Sequence, residues 1–385
     1  MGNAEKCGVL SCQALKKAIS KKEILAKGAA IEDAQIQPAS MDLRLGAKAY
    51  RLISSFLPES SSVMEKLSTP DSYGSDLVMY EMDLTRGGIL ERGHVYLIPL
   101  LEELNLPPNV HGRANPKSTT GRLDVFARVL TDNSARFDDI RQGYKGKLFV
   151  EVMPRSFTIK VKTGLSLVQL RLMSGDCTLT DGNLKALNKA TGLLYNGDRE
   201  LTPVDTKISN GLFMSVDLNG DHESGILGYK SKKNSHVVDL SKANHYNILD
   251  FWEPLCRNPK GALILEPEEF YILSSKEKIR VPPKYAAEMV AYEAGSGELR
   301  THYAGFFDPG FGFGAKGEVK GTKAVLEVRA HDVPFMIADG QTFCKLFFEK
   351  MMDVPHKIYG PKIGSSYQFQ GITLSKQFKN SKDGM

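Results

Sequence analysis

The sequence predicts an all-β protein built from two diverged copies of one domain. Two observations carry this prediction: short strand-like runs recur along the chain, and their order repeats at a long interval. The chain has 385 residues, of which 42% are hydrophobic and 25% charged, so it can bury the cores of two domains. We expect two tandem β-barrel or β-sandwich domains with a few short helices.

The strand-like runs are bounded by proline and glycine in both halves. The first half contains HVYLIPL, KLFVEVM, FTIKVK and LSLVQLRL, and the second contains FYILSS, AVLEVRA and TFCKLFFEK. Turns about every 8 to 12 residues between such runs are typical of a β-barrel or sandwich, and they disfavour a fold of alternating strands and helices. Helices are expected at 11–20, where Ser11 can cap, and around 183–190.

The repeat is an ordered series of residue matches. Matches that share one constant interval are Ile89-Leu90-Glu91 with Ile264-Leu265-Glu266, Tyr96 with Tyr271, and Pro107-Pro108 with Pro282-Pro283. Later matches, at slightly longer intervals, are Ser118 and Arg122 with Ser296 and Arg300, and Glu151, Gly164 and Leu170 with Glu327, Gly340 and Leu346. Small insertions explain the drift of the interval.

Two segments lack a strand pattern. Residues 176–210 lie where the repeat predicts a junction, so we place the first domain at 1–180, a linker at 181–210 and the second domain at 211–385. Residues 54–75 are rich in Ser, Pro and Glu, and we expect them to form an exposed loop inside the first domain.

Composition and charge argue against several classes of function. The net charge is only +5, and the basic doublets are not interleaved with aromatic residues, so no nucleic-acid partner is expected. No apolar stretch reaches the roughly 18 residues of a membrane span, and the N-terminus lacks a signal peptide, so we expect a cytoplasmic protein with no membrane partner. The five cysteines form no C-x-x-C pair, so neither disulfides nor a thiolate zinc site are expected.

A motif in the first half suits phosphate chemistry. NPKSTTGRLDVF at 115–126 places the ammonium of Lys117, three hydroxyls beginning at Ser118, a glycine and the guanidinium of Arg122 within six residues. This combination can bind phosphate. The alternative is a polar turn whose hydroxyls bond to its own backbone. The motif is not a Walker A loop, which requires G-x-x-x-x-G-K before a helix.

A glycine-rich motif in the second half has a misleading spacing. AGFFDPGFGFGAKG at 304–317 contains Gly312-x-Gly314-x-x-Gly317, the spacing of a dinucleotide-binding fingerprint. The fingerprint requires a strand before it and a helix after it, whereas these glycines lead into the strand-like run KAVLEVRA. We expect a glycine-rich loop between strands.

Two glutamates, Glu151 and Glu327, lie within strand-like runs. Alternation puts Glu151 on the same face as Phe149 and Met153, where partial burial would raise its pKa towards the range useful for proton transfer. A position on the solvated face is the alternative. No histidine lies two residues before a glutamate, so the H-x-E motif of zinc nucleobase deaminases is missing and no zinc is expected.

Taken in order, QPASMDLRLG at 37–46, PKSTTGRLDV, DIRQGYKGKLFVEV, GLSLVQL and the terminal SSYQFQG resemble the deoxycytidine triphosphate deaminases, relatives of dUTP diphosphatases. The resemblance runs from Gly8 to Phe378 and is greatest to the long two-copy proteobacterial members. It implies two dUTPase-like β-barrels and the hydrolysis of dCTP to dUTP and ammonia without zinc, with Mg²⁺ carried on the substrate triphosphate. Two alternatives are dUTP diphosphatase activity, alone or combined with deamination, and nucleotide sensing without catalysis.

The resemblance also implies roles for individual residues. Glu327, or its counterpart Glu151, would activate the water that adds to C4 of cytosine. Two serine–arginine pairs would hold water, base and phosphates: Ser118 with Arg122, and Ser296 with Arg300. Further nucleotide contacts are implied for Lys117, Ala304, Asp308, Tyr367 and Gln370.

The copies depart from the family pattern at different points. The second copy has Gly295 where the first has Lys117, and the first has RFDDIRQGY where the second has the Asp308-Pro309-Gly310-Phe311 turn. In the C-terminal tail, Ser366 replaces the family's lysine. Because relatives form trimers with sites between domains, we expect a homo-oligomer with one composite site per chain. It would combine Lys117, Ser118 and Arg122 with Ala304, Asp308 and Glu327.

Overall fold

The computed structural model describes residues 7–69, 76–221, 223–258, 261–291, 299–301, 305–330, 332–360 and 371–379. The chain divides into two compact units. Unit 1 comprises Met1–Asp176 with Asn234–His245, and unit 2 comprises Cys177–Lys233 with Tyr246–Met385. Strands dominate both units, which confirms the predicted all-β fold.

The described residues of unit 1 form three sheets. Its helices are α1 (Cys12–Ser20), α2 (Val63–Ser68) and α3 (Ser118–Gly121), with a 3-10 turn at Asp33–Gln35. Its strands are β1 (Gly8–Val9), β2 (Ile24–Ala26), β3 (Met41–Arg44), β4 (Lys48–Leu52), β5 (Val78–Asp83), β6 (Gly88–Leu90), β7 (Val95–Asn105), β8 (Val110–Pro116), β9 (Val125–Thr131), β10 (Asp139–Ile140), β11 (Lys145–Pro154), β12 (Ile159–Val161), β13 (Ser166–Ser174) and β18 (Val238–Asp239). The strand orders are β1-β13-β8-β10 with β3 on β13, β5-β4-β7-β11-β9 with β2 on β7, and β18-β12-β6.

Unit 2 contains a large sheet and a two-stranded one. Its helices are α4 (Asp181–Thr191) and α5 (Ile248–Phe251). Its strands are β14 (Leu194–Asn196), β15 (Arg199–Glu200), β16 (Leu212–Asp217), β17 (Ile226–Ser231), β19 (Trp252–Cys256), β20 (Ala262–Leu265), β21 (Phe270–Ile279), β22 (Tyr285–Ala291), β23 (Leu299–Thr301), β24 (Gly305–Phe307), β25 (Thr322–Ala330), β26 (Phe335–Ala338) and β27 (Thr342–Lys350). The large sheet follows the order β15-β14-β21-β16-β27-β22-β24, and β20 pairs with β26.

Both predicted helices are present and begin at hydroxyl caps. Ser11 Oγ accepts the Ala14 N–H at 3.4 Å before α1, and Thr180 Oγ1 accepts the Asn183 N–H at 3.3 Å before α4. These bonds satisfy N–H groups that have no partner within the helix. The predictions of helix at 11–20 and around 183–190 are confirmed.

The segment predicted as a linker, 181–210, is folded and belongs to unit 2. It contains α4, β14 and β15, and Leu184, Leu193 and Leu194 are buried in the core of that unit. Most of α4 is polar, so its sequence does not show the one leucine face that packs inward.

Residues 234–245 lie late in the chain but belong to unit 1. The strand β18 pairs in parallel with β12, with Val238 opposite Ile159. Val238 is fully buried, and Lys160 forms an ion pair with Asp239 at 3.6 Å. A two-residue strand has no periodicity to detect, so the sequence did not predict it.

The segment predicted as an exposed loop, 54–75, is partly ordered against unit 1. Its residues 63–68 form α2, which begins with a capping box in which the backbone N–H of Glu65 donates to Ser62 Oγ and that of Ser62 to the Glu65 side chain. Val63 is fully buried. The prediction missed this S-x-x-E signal for a helix start. Residues 70–75 lie outside the described part.

The same local arrangement recurs in both units. Glu151 on β11 lies opposite Leu97 on β7, and Glu327 on β25 lies opposite Ile272 on β21. Leu97 and Ile272 are separated by the same interval as Tyr96 and Tyr271. Tyr96 and Tyr271 directly precede these two residues. The Tyr96 hydroxyl accepts the Glu91 N–H at 3.1 Å, and the Tyr271 hydroxyl accepts the Glu266 N–H at 2.9 Å. The two glutamates therefore occupy matching positions in their sheets.

Candidate active site

Lys117, Ser118 and Arg122 are brought together by one helical turn at the end of β8. The Lys117 N–H donates to Leu167 O at 2.9 Å, and the Arg122 N–H donates to Ser118 O at 3.0 Å. Thr120 fixes the turn to β13 by donating its hydroxyl to Leu167 O at 2.8 Å. Ser118 is exposed, whereas Arg122 is only 3% exposed. The turn thus presents one hydroxyl to solvent beside a guanidinium held in place by burial.

Lys117 forms an ion pair with Asp42, a residue that the sequence reasoning did not assign to the site. Asp42 lies on β3 within QPASMDLRLG and is 8% exposed. A carboxylate this buried restricts the lysine side chain to one direction, because leaving the pair would strand the charge in apolar surroundings. Asp42 therefore aims the ammonium group that the family resemblance assigns to phosphate.

A fully buried glutamate, Glu102, fixes the position of β3. It accepts the backbone N–H and the Nε–H of Arg44, each at 2.7 Å, and the Gln35 amide at 3.0 Å. In unit 2, Glu277 likewise accepts the N–H and hydroxyl of Ser215 at 2.8 and 2.6 Å. The sequence reasoning missed this pair, although a glutamate in the run VYLIPLLEELN that recurs at the interval of the repeat was a usable signal.

Glu151 is buried and bound by an arginine. It is 2% exposed, so the solvated-face alternative is wrong for this residue. Arg128 lies directly opposite on β9 and forms an ion pair with Glu151 Oε1. The guanidinium also stacks 3.9 Å above the ring centroid of Phe137. The Glu151 carboxylate is therefore buried and already engaged in an ion pair.

Glu327 occupies the matching position on β25 and is 7% exposed. Its neighbour on the same face, Arg329, donates to the backbone oxygen of Glu268. The solvated-face alternative is therefore wrong for Glu327 as well. The glutamate lies in the middle of a strand, so the backbone on both sides fixes where its carboxylate can reach.

The Asp308-Pro309-Gly310-Phe311 turn precedes that strand and is tightly packed. The Phe311 N–H donates to Asp308 O at 3.0 Å, and Asp308 is 7% exposed. Gly310 has φ of 95°, and a Cβ there would lie 2.2 Å from the Ile358 side chain. Glycine is required at this point because other residues would be strained and would clash.

Arg280 organises the glycine-rich loop that follows the turn. Its guanidinium donates to the backbone oxygens of Val319, Gly317 and Thr191 at 3.0, 3.0 and 2.7 Å. It also lies 4.4 Å from the ring centroid of Phe313. The loop leads into β25 and not into a helix, so the glycine spacing is not a dinucleotide fingerprint. The sequence reasoning missed Arg280, which only the fold brings to this loop.

Comparisons with known proteins match this architecture over both halves. Residues 6–176 match the family described as the 2'-deoxycytidine 5'-triphosphate deaminase N-terminal domain, and residues 180–378 match the C-terminal domain of the same description. The chain belongs to the 2'-deoxycytidine 5'-triphosphate deaminase family. The boundary between these two matches agrees with that between the units at 176 and 177.

A solved structure and two curated relatives agree with this family membership. The crystal structure of 2'-deoxycytidine 5'-triphosphate deaminase from Agrobacterium tumefaciens is 42% identical, with a TM-score of 0.83, covering 91% of this chain and 100% of that one. A "dCTP deaminase, dUMP-forming" of a Sulfurihydrogenibium species is 29% identical over 141 residues, 36% of this chain and 70% of the relative. One of Nanoarchaeum equitans is 28% identical over 182 residues, 43% and 83% respectively.

The family turn has a charge reversal in unit 1. The strands β10 and β24 pair with β8 and β22 in matching register, so the turns that follow them correspond. In unit 2 the turn is closed by the Phe311 N–H on Asp308 O, and in unit 1 by the Tyr144 N–H on Arg141 O at 3.2 Å. The glycine and aromatic residue are kept, but Arg141 stands where the family turn has its aspartate.

Several residues that the resemblance assigned lie outside the described part of the structure. These are Ser296, Ala304, Tyr367 and Gln370. Arg300 lies on β23 opposite Arg329 of β25. The corresponding residue of unit 1 is Phe126, which lies on β9 opposite Met153 of β11. The assignment of Arg300 as the counterpart of Arg122, and the expected composite site, stay predictions.

Metal ligands and membrane spans can be assessed in the described part of the chain. No group of three or more His, Cys, Asp or Glu side chains there could hold a metal ion. None of its helices combines the length and hydrophobicity needed to cross a bilayer.

Proposed function

We propose that this chain deaminates dCTP hydrolytically, with Glu327 as the general base and acid. The observation that carries the assignment is that the turn before Glu327 keeps its aspartate, Asp308, whereas the corresponding turn of unit 1 does not. Glu151 is bound by Arg128, and the turn of its unit has Arg141 in place of aspartate. Glu327 lies after the intact Asp308 turn. The family membership and the names of the relatives support dCTP as the substrate.

The proposed reaction is general acid–base catalysis. Glu327 takes a proton from water as the water oxygen bonds to C4 of cytosine. The same carboxyl then gives a proton to the amine, the bond between C4 and nitrogen breaks, and ammonia leaves. Ser118 and Arg122 supply a hydroxyl and a fixed positive charge to water, base and phosphates. Lys117, aimed by Asp42, supplies a further charge to the triphosphate.

We further propose that Mg²⁺ arrives bound to the triphosphate. The described residues contain no cluster of carboxylates for it, and a hard cation suits phosphate oxygens. Lys117 and Arg122 would hold the metal-bound triphosphate, and the metal would neutralise part of its charge. In both units the strand glutamate lies opposite an aliphatic residue that directly follows a tyrosine, Leu97 in unit 1 and Ile272 in unit 2. This recurrence supports two copies of one domain. Assembly into a homo-oligomer in the cytoplasm stays part of the same proposal.

Two matched substitutions test the assignment. Glu327→Gln should lower kcat for dCTP by about a hundredfold or more, because it removes the proton acceptor and nearly keeps the shape. Glu151→Gln should lower kcat far less. Ammonia release measures turnover, and a fluorescent dCTP analogue measures binding. A larger loss in Glu151→Gln would reverse the assignment, and equal twofold losses in both variants would indicate two equivalent sites.

A second candidate function is deamination followed by release of diphosphate. The curated relatives are named "dUMP-forming", and dUMP arises from dCTP only if diphosphate is lost as well as ammonia. Incubating the protein with dCTP and, separately, with dUTP and resolving the products decides between the two. Ammonia with dUTP as the only nucleotide product supports deamination alone, whereas diphosphate from either substrate supports the second candidate.

A further inference from the structure

The face of the unit 1 sheet that carries Glu151 is closed by the chain itself. Phe149 and Glu151 lie on one face of β11, with Leu130 and Arg128 opposite them on β9. The described residues of the β4–β5 connection, 53–69 with 76–77, pack over this face. The connection's apolar side chains in the cluster with Phe149 and Leu130 are Phe56, Leu57, Val63, Leu67 and Leu77.

The connection is hydrogen-bonded to the end of β9 at three points. The Glu59 N–H donates to Ser134 O at 3.0 Å, and the Asn133 N–H donates to Ser61 O at 3.0 Å. The Val63 N–H donates to Asp132 Oδ1 at 2.8 Å. These bonds fix the start of α2 beside the strand that carries Arg128.

Arg128 links the buried glutamate to the connection. Its Nη2 contacts both Glu151 Oε1 and Ser55 Oγ, the latter at 3.3 Å. The Arg128 side chain is 37% exposed, whereas that of Glu151 is 2% exposed. A buried carboxylate is costly unless an opposite charge compensates it. Glu151 therefore holds the Arg128 guanidinium in a position where the guanidinium also contacts Ser55 and stacks on Phe137.

Unit 2 uses the corresponding connection differently. The strand β17 pairs with β19 and with β21, as β4 pairs with β5 and with β7. Of the connection between β17 and β19, residues 234–245 belong to unit 1. That part of the unit 2 connection therefore packs in unit 1.

We infer that Glu151 is an anchor and not a base: it holds Arg128, and Arg128 fastens the β4–β5 connection over its own sheet face. The contacts of Arg128 with Glu151 and Ser55, called the lock below, thus close the position that corresponds to Glu327 in the first copy. The inference concerns the stability of the connection, so it can be tested whether or not the chain deaminates dCTP.

Hydrogen exchange of the full-length protein tests the lock directly. Arg128→Ala removes the guanidinium, and the backbone amides of Glu59, Val63 and Asn133 should then exchange at least about tenfold faster. Arg128→Lys keeps the charge but loses the planar fork and the stacking, so a smaller acceleration is expected. Ser55→Ala should accelerate exchange near residue 55 alone. Free guanidinium at low concentration should restore protection to Arg128→Ala, and methylammonium should restore less.

The control is Glu81→Gln on β5, which breaks an exposed ion pair with Lys48 in the same sheet. It should leave exchange of the connection unchanged. In wild-type and Ser55→Ala protein, dCTP turnover should agree within about twofold. Unchanged exchange in both Arg128 variants would overturn the inference. So would a loss of turnover in Arg128→Lys as large as that in Glu327→Gln, since the pair would then be catalytic.

Discussion

The buried pair of Arg44 and Glu102 should be a main determinant of the stability of unit 1. Glu102 is fully buried and accepts three hydrogen bonds, two from Arg44 and one from Gln35. Glu102→Gln keeps the size but leaves the Arg44 guanidinium, whose side chain is 11% exposed, without its counter-charge. Breaking a buried pair in this way costs about 3–5 kcal/mol. In a domain of about 150–250 residues each kcal/mol lowers the Tm by about 2–4 °C, so a fall of roughly 6–20 °C is expected for unit 1.

Differential scanning calorimetry with hydrogen exchange in β3 measures this effect. The control is Glu103→Gln, the next residue on the same strand, whose partner Lys27 is 75% exposed; it should cost less than about 1 kcal/mol. Replacing both members of the pair, with Arg44→Met and Glu102→Leu, should recover much of the loss because no charge stays buried alone. A Tm change below about 2 °C in Glu102→Gln, or equal changes in the two Gln variants, would refute the reasoning.

Three further predictions concern pH, the glycine-rich loop and metals. Burial raises the pKa of Tyr144 to about 12, above its value of about 10 in the unfolded chain. The neutral phenol therefore stabilises unit 1 fully below about pH 10, and this stabilisation is lost as the pH rises towards about 12. The Tm advantage of wild type over Tyr144→Phe should therefore shrink between pH 9 and pH 11.5, and a constant difference would contradict this. Arg280→Met removes the hydrogen bonds to one buried and three partly buried carbonyls and should lower the Tm of unit 2 by more than about 5 °C; a calorimetric scan with no shift would count against it. Stripping zinc should leave dCTP turnover intact, and turnover restored only by zinc would contradict this. Removing Mg²⁺ should raise the KM for dCTP, and an unchanged KM would contradict that.

The strands and the two longer helices follow from local sequence because their signals are local. Period-two alternation and the hydroxyl caps at Ser11 and Thr180 depend only on neighbouring residues. The internal repeat was predicted from the order of matching residues alone, and it stays a prediction.

The segments that sequence reasoning misplaced are those whose structure depends on distant partners. The strand β18 exists because β12 offers it an edge. The β4–β5 connection is ordered by the sheet on which it packs. In each case tertiary packing overrides a weak local preference.

For the site, the sequence identified the residues that the resemblance names but not the side chains that position them. Glu151 and Glu327 were found as glutamates in strands, yet only the pairing of β9 with β11 shows that Arg128 faces one of them. Asp42 and Arg280 reach their partners across the fold. Register is set by all strands of a sheet together, so such contacts cannot be read from one run of residues.

In unit 1 an arginine is found at, or directly opposite, each of the positions that correspond to Asp308 and Glu327 of the proposed site in unit 2. In unit 1 the turn aspartate is replaced by Arg141, and the strand glutamate faces Arg128. The second of these arginines, Arg128, forms an ion pair with the buried Glu151 carboxylate. Once that carboxylate was neutralised by a neighbour, burying it no longer left an uncompensated charge, so a connection could pack over it. Glu327 follows the unchanged turn at Asp308, and we therefore assign the proposed chemistry at cytosine C4 to unit 2.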